Sequence, residues 1–305
     1  MLVPLQEKDF EKYVDFAYEL ALDPTKSGYP AYFDGIKTKE HFISAARKGF
    51  SGPNEQILLY QEDGQVEGWI HYYDWPEDRY LGFRACCVRR NTAGALEELS
   101  DYLTARYSDY DWTMGFPAAN REVVSWLERS GFSVLDDLND YHLPFSQYTP
   151  EPDDPGVERI TEENFEKFQR VHRTIDTDMY WNCQRVRDNL ARWDLFVAEE
   201  GGITGEIMAT HEPDGGYEIF SLCCEDGQYH EGLFHRLLKC VLNEGKRTGA
   251  AHLYFFTDPG SNEDRILPEL GFHLVGHYLS YQKRISRQNW ANYLRTQAVR
   301  KEKLP

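Results

Sequence analysis

Between Ile219 and Leu238 the chain reads Ile-Phe-Ser-Leu-Cys-Cys-Glu-Asp-Gly-Gln-Tyr-His-Glu-Gly-Leu-Phe-His-Arg-Leu-Leu, a strand pattern running through a turn into a helix with a glycine at its start. The free amides and the positive dipole end of a helix N-terminus attract anions, and a glycine there, Gly232, lets a phosphate approach the backbone. Two other chemistries suggested by this stretch fail on spacing. His230-Glu231 followed by His235 resembles a zinc-protease helix, but histidines five apart do not share a helix face. Cys223 and Cys224 are adjacent on a strand, so their thiols point to opposite faces, and they read as small buried hydrophobes. We assign no metal.

The elements around this segment occur twice. Sliding the chain by 137 places superimposes residues 58–87 on 195–224 and matches Leu58 with Leu195, Gly68 with Gly205, Ile70 with Ile207 and Cys86-Cys87 with Cys223-Cys224. Phe10-Glu-Lys-Tyr13 likewise answers Phe165-Glu-Lys-Phe168, and Gly131-Phe132 answers Gly271-Phe272. So long a period indicates two whole domains rather than a solenoid. The prolines and acids of Gln147–Gly156 suit a linker. The expected organisation is a domain over 1–147, a linker over 148–156, a second domain over 157–285 and a basic tail over 286–305. Within each copy the pattern predicts a helix, three strands, a long amphipathic helix, a strand, a short helix and two strands. In the second copy these include Trp193–Ala198 and Ile203–Ala209 as a hairpin, Gly215–Cys224 as the third strand, Tyr229–Gly249 as the long helix, and final strands around 272–277 and 278–285. Residues 25–54 are the main insertion of the first copy.

A chain of 305 residues with 41% hydrophobic and 14% aromatic content is globular and long enough for two cores. A net charge of −18 repels a phosphate backbone and attracts a cationic amine, so nucleic acid is not among the expected partners. No apolar run is long enough to span a bilayer and no secretory signal pattern opens the chain, which makes the cytoplasm the expected compartment. The six cysteines lack the context of a disulfide framework and read as reduced thiols. The basic tail carries Trp290, Tyr293 and Leu294 at helical spacing, suited to docking onto the acidic body.

The element order, centred on the Ile219–Leu238 segment, resembles the GNAT superfamily of acyl-CoA-dependent N-acetyltransferases, and the resemblance covers both copies. It implies an α/β (α+β) fold of two tandem GNAT-like domains, each a mostly antiparallel mixed sheet flanked by helices. It also implies that acetyl-CoA, as co-substrate, lays its pyrophosphate on the loop Tyr229, His230, Glu231, Gly232, Leu233, Phe234 and His235. The amides of Leu222, Cys223 and Cys224 would polarise the thioester carbonyl. The family loop carries Gln or Arg where this chain has Tyr229, and a small residue where it has Phe234. The late family signature, an Asn ahead of a helix ending in Gly-Phe, appears around Asn120 and Asn262, and Asn262 would join the coenzyme site. Where many members carry a tyrosine acid, four residues before that glycine, this sequence has Leu127 and Leu267. Glu218 and Glu225, on and beside the third strand, are the candidates for the base that takes the ammonium proton. In the first copy Arg89-Arg-Asn-Thr-Ala-Gly94 precedes the helix without a matching loop.

The reading is therefore an N-acetyltransferase whose second domain transfers an acetyl group to a small-molecule or peptide amine, beside a degenerate first domain. The alternative is a non-catalytic GNAT-like acyl-CoA-binding or scaffold protein. Neither the acceptor nor the oligomeric state is legible.

Overall fold

The computed structural model describes residues 1–28, 38–176, 180–212 and 215–285, so the basic tail lies outside the described residues. The chain forms two compact units, residues 1–138 with 276–305, and residues 139–275. The first unit holds β1 (Leu2–Pro4), α1 (Phe10–Ala21), α2 (Lys39–Arg47), β2 (Glu55–Glu62), β3 (Gln65–Trp75), β4 (Tyr80–Val88), α3 (Thr92–Thr104), β5 (Tyr110–Pro117), α4 (Arg121–Arg129) and the start of β6 (Ser133–Pro144). The second holds the rest of β6, β7 (Val157–Arg159), α5 (Phe165–His172), α6 (Cys183–Asp188), β8 (Trp193–Glu200), β9 (Ile203–His211), β10 (Gly216–Cys224), α7 (Glu231–Thr248), β11 (His252–Thr257) and α8 (Asn262–Ile266). A single strand, β12 (His273–Ile285), runs where two were expected, and its residues from Gly276 onward belong to the first unit.

Each unit is thus completed by a strand from the other half of the sequence. In the first, β12 lies antiparallel to β5, Tyr278 to Ile285 opposite Pro117 to Tyr110. In the second, Asn139–Pro144 of β6 pair with Thr257–His252 of β11. The units divide before Asn139 and after Val275, and Gln147–Gly156 lies inside the second unit against α7. The acids of that segment explain its position. Arg236 Nε lies 2.6 Å from Asp154, Lys239 Nζ 2.7 Å from Glu151, and Asn243 donates to Asp153 at 2.7 Å.

Alternation along the strands builds two layers of core in each unit. In the second, α7 and α8 close one face over Ile207, Ile219, Leu233, Leu237, Leu253 and Ile266. The other face carries Phe165 and Phe168 of α5 against Leu195, Val197 and Met208. The first unit repeats this with α3 and α4 on one face and α1 and α2 on the other.

Two strands of each unit part company. β10 and β11 run parallel only from Gly216–Ile219 beside His252–Phe255. Past Ile219, β10 carries a bulge at Phe220, between Ile219 and Ser221, and continues along β9 alone. β4 pairs with β5 only at Tyr80 and Leu81, with its own bulge at Arg84. A bulge bends its strand and sharpens the local twist, so each unit opens a slot between its two central parallel strands. The bulges also align the copies. Gly68 faces Val88 whereas Gly205 faces Cys224, so the cysteine pairs that match by sequence sit one residue out of step in the sheets. Cys87, not Cys86, is the structural counterpart of Cys223.

Candidate active site

The slot of the second unit has two different walls. On the α7 side, Leu222 and Cys224 turn into the apolar core. On the α5 side a polar group occupies what is otherwise core. Glu206 of β9 and His172 at the end of α5 are both fully buried, with Nδ1 of His172 3.2 Å from Oε1 of Glu206. The same oxygen accepts from Ser221 Oγ at 2.9 Å and lies 3.3 Å from Cys223 Sγ. His172 Nε2 meets the Trp181 carbonyl at 2.9 Å, which fixes that nitrogen as a donor. Glu206 Oε2 is buried with no partner among the described residues. Burial alone would lower the His172 pKa, but the Glu206 hydrogen bond and charge outweigh it and hold the imidazole above its usual value. Burial, with Glu206 beside it, pushes the Cys223 thiol far up, so it stays a thiol.

The first unit shows what the equivalent positions hold in the other copy. Aligned by strand and helix, its counterparts of His172, Glu206, Ser221 and Cys223 are Ala17, Trp69, Ala85 and Cys87, all four within one apolar cluster. One copy carries a buried ion pair where the other carries packing. A buried ionic group is weak support for stability, so its presence in one copy alone is a chemical difference that packing does not explain.

The residues singled out from sequence fall in three places. Glu225 closes the end of β10, accepting from the Thr204 amide at 3.0 Å and lying 3.0 Å from Arg170 Nε. Glu218 stands earlier on β10, opposite Thr210 of β9 and Tyr254 of β11. Cys224 is core, its thiol pushed up to about 11 by burial. Leu233 and Phe234 also face the core, and the Phe234 amide is used by the His230 carbonyl at 3.0 Å. Tyr229 stacks on Phe234 with centroids 4.8 Å apart, so the two departures from the family loop pack against each other. His230 is N-cap of α7 without a side-chain cap bond, its Nε2 2.8 Å from Asp226. Glu231 and Gly232 are in the first turn, and His235 follows on the same helix. A Cβ on Gly232 would overlap the carboxylate tip of Glu200, an exposed side chain able to swing away. Asn262 is the exposed first residue of α8, whose cap is Ser261, and its Oδ1 accepts from Arg265 at 3.1 Å. Sequence reasoning passed over His172, Glu206 and Ser221. The available signal was the repeat itself, which sets Glu206 against Trp69 in the middle of an apolar strand.

No sequence-family model matches the chain and no curated protein matches it significantly. Solved structures do. A GCN5-related N-acetyltransferase from Sphaerobacter thermophilus superimposes with a TM-score of 0.64 at 13% identity, covering 94% of this chain and 96% of that one. The fold is that of the GNAT acetyltransferases. A tandem GNAT protein from the clavulanic acid biosynthesis pathway matches at 0.55 and 13% identity, covering 94% and 98%. A GCN5-related N-acetyltransferase from Kribbella flavida matches at 0.52 and 15% identity, covering 79% and 94%. Both halves therefore lie within GNAT-fold likeness. Among the described residues no helix is long and apolar enough to cross a membrane, and no cluster of three or more His, Cys, Asp or Glu side chains is placed to hold a metal ion.

Proposed function

We propose that the protein is an acyl-CoA-dependent N-acetyltransferase acting on a small-molecule or peptide amine, with the second unit carrying the chemistry and the first a degenerate structural partner. The observation that carries this reading is the His172–Glu206–Ser221–Cys223 group beside the β10 slot, against four apolar counterparts in the first unit. The slot suits an extended amide chain, since β10 beyond its bulge has β9 on one side only. The start of α7, with Gly232 in its first turn and no side-chain cap, suits the pyrophosphate once the Glu200 tip swings aside. The Glu225 amide donates to Thr204 on the β9 side, so by strand alternation the amides of Leu222 and Cys224 point into the slot and would polarise the thioester, while that of Cys223 faces β9. The acceptor would meet the slot on its α5 side, where the polar His172–Glu206 pair interrupts the core, since Leu222 and Cys224 make the α7 side apolar. There a carboxylate takes the ammonium proton, the freed amine attacks the thioester carbonyl, and the tetrahedral intermediate expels coenzyme A as its thiolate, which is protonated through water as the new amide loses its remaining extra proton. Glu206, whose second oxygen is free, serves that role better than Glu225, which is committed to Thr204 and Arg170. The compartment we propose is the cytoplasm, where the six free thiols stay reduced.

Calorimetric titration with acetyl-CoA tests the binding step, and the expected result is one site. Gly232→Val should abolish it by filling the approach to the helix amides. Gly232→Ala should weaken it without loss of thermal stability, because alanine favours a helix interior by up to about 1 kcal/mol over glycine. Unchanged affinity in both variants would remove the α7 N-terminus from the site. For turnover, Glu206→Gln keeps shape and removes charge, and a fall of about a hundredfold at neutral pH is expected for a lost general base. Glu225→Gln should change turnover little. If the opposite ranking is measured, the proton goes where the sequence first suggested.

A second reading, a module that binds acyl-CoA without turnover or serves only as a scaffold, is favoured by Leu267. The position where the family often carries its acid is here a fully buried core leucine. Binding without acetyl transfer to any amine would decide for it.

A further inference from the structure

The slot of the first unit is filled by the chain itself. Arg89 donates its amide to Glu67 on the β3 side at 2.7 Å, so by strand alternation the Val88 amide points into the slot, where it donates to the Lys26 carbonyl at 3.3 Å. The carbonyl of the fully buried Ser27 accepts from Nδ2 of the buried Asn120 at 3.0 Å. Gly28 follows between the strands. A Cβ there would lie 2.9 Å from the Cys86 carbonyl oxygen, 3.1 Å from its nitrogen and 3.0 Å from the Phe116 ring of β5. Lys26 Nζ, 3.6 Å from Glu122, ties the segment to the first turn of α4. Three consecutive residues thus run between β4 and β5, bonded to the strand edge on one side and to the α4 cap on the other. No counterpart of the Lys26–Val88 bond is made to Phe220–Cys224 of the second unit among the described residues.

We propose that the first unit contains a latent slot for a pantetheine-type arm, an uncharged chain with two amides, held shut by Lys26-Ser27-Gly28 in its place. The segment offers the strand what such an arm would offer, backbone carbonyls and a narrow cross-section, and Gly28 is the one residue type that fits between Cys86 and Phe116. Asn120 is the clasp. This inference goes beyond the proposed activity and does not depend on the second unit binding anything.

Peptide-resolved hydrogen exchange on the full-length protein tests it, with coenzyme A as the probe. In the wild type, the peptide spanning Phe83 to Val88 should be protected without ligand and unchanged by coenzyme A. Asn120→Asp keeps the oxygen that caps Val123 but loses the donor to Ser27, and Gly28→Val wedges the segment out. In both variants exchange of that peptide should rise at least about tenfold, the worth of a buried hydrogen bond, and coenzyme A should slow it again. If coenzyme A alters this peptide in the wild type, the slot is open and the proposal fails. If the variants expose the strand and coenzyme A does not re-protect it, the ligand class is wrong and the proposal fails equally. Should one variant lose protection throughout the first unit, the other decides, and such a loss in both overturns the proposal, because the segment is then part of the core and not a plug. The peptide spanning Phe220 to Cys224, measured in the same run, reports separately on the second unit.

Discussion

Residues 1–147 expressed alone should give no cooperatively melting domain, although they contain the whole first sequence repeat. The strand that completes their sheet is β12, which pairs with β5 over Tyr278 to Ile285 and buries Tyr281 and Ile285 in the core under α3 and α4. Losing two such side chains and an edge of strand pairing removes about 5 kcal/mol, comparable with the whole stability of a domain, roughly 5–15 kcal/mol. Conversely, full-length protein nicked between Thr149 and Pro155 should elute from a sizing column as one species. Its first fragment holds Asn139–Pro144 against β11 and its second holds β12 against β5. Calorimetry of the isolated fragment and gel filtration of the nicked protein make the two measurements. A cooperative melt for 1–147 alone would mean that β6 folds back onto β5 in place of β12, and that the exchange is optional.

The second large effect concerns the buried pair. Glu206→Ala or His172→Ala strands one charge in a dry site and should destabilise the second unit by about 3–5 kcal/mol. Installing the first unit's solution, His172→Ala with Glu206→Trp, should recover much of that loss while ending turnover, because Ala17 and Trp69 pack the same position without charge. The pH dependence has a definite sign. The folded-state pKa of His172 is raised, so its contribution is fully present below the unfolded value of about 6.5 and is lost as pH rises through the folded one. Denaturant midpoints of the wild type should therefore fall on moving from pH 6 to alkaline pH, and those of the double variant should be flatter. A wild-type midpoint that rises over that range would mean that Glu206 does not hold the imidazolium.

The two copies, their element order and the GNAT-like architecture were legible because hydrophobic period and turn residues are local properties. The long helix is an example, foreseen over Tyr229–Gly249 and found over Glu231–Thr248. What escaped was non-local. Nothing in His273–Ile285 says which strand it will lie beside, and its two apolar stretches read as two strands because His277 and its neighbours interrupt them. The linker reading rested on prolines and acids. Those acids instead meet Arg236, Lys239 and Asn243 spaced along one face of α7, a pairing visible only once the helix is placed. At the site, identity matching aligned the cysteine pairs and so concealed the one-residue step introduced by the bulges. Glu206 escaped because its significance lies in its burial, and a glutamate in sequence is ordinarily taken as solvated.

The exchanged strand also sets an order of events during synthesis. As the chain leaves the ribosome, β1 to β5 appear early, but the partner of β5 is among the last described residues to emerge. At roughly 5–20 residues per second, the interval between Gln147 and Ile285 is on the order of ten seconds. Throughout it the β5 edge stands unpaired, a template for any extended neighbour.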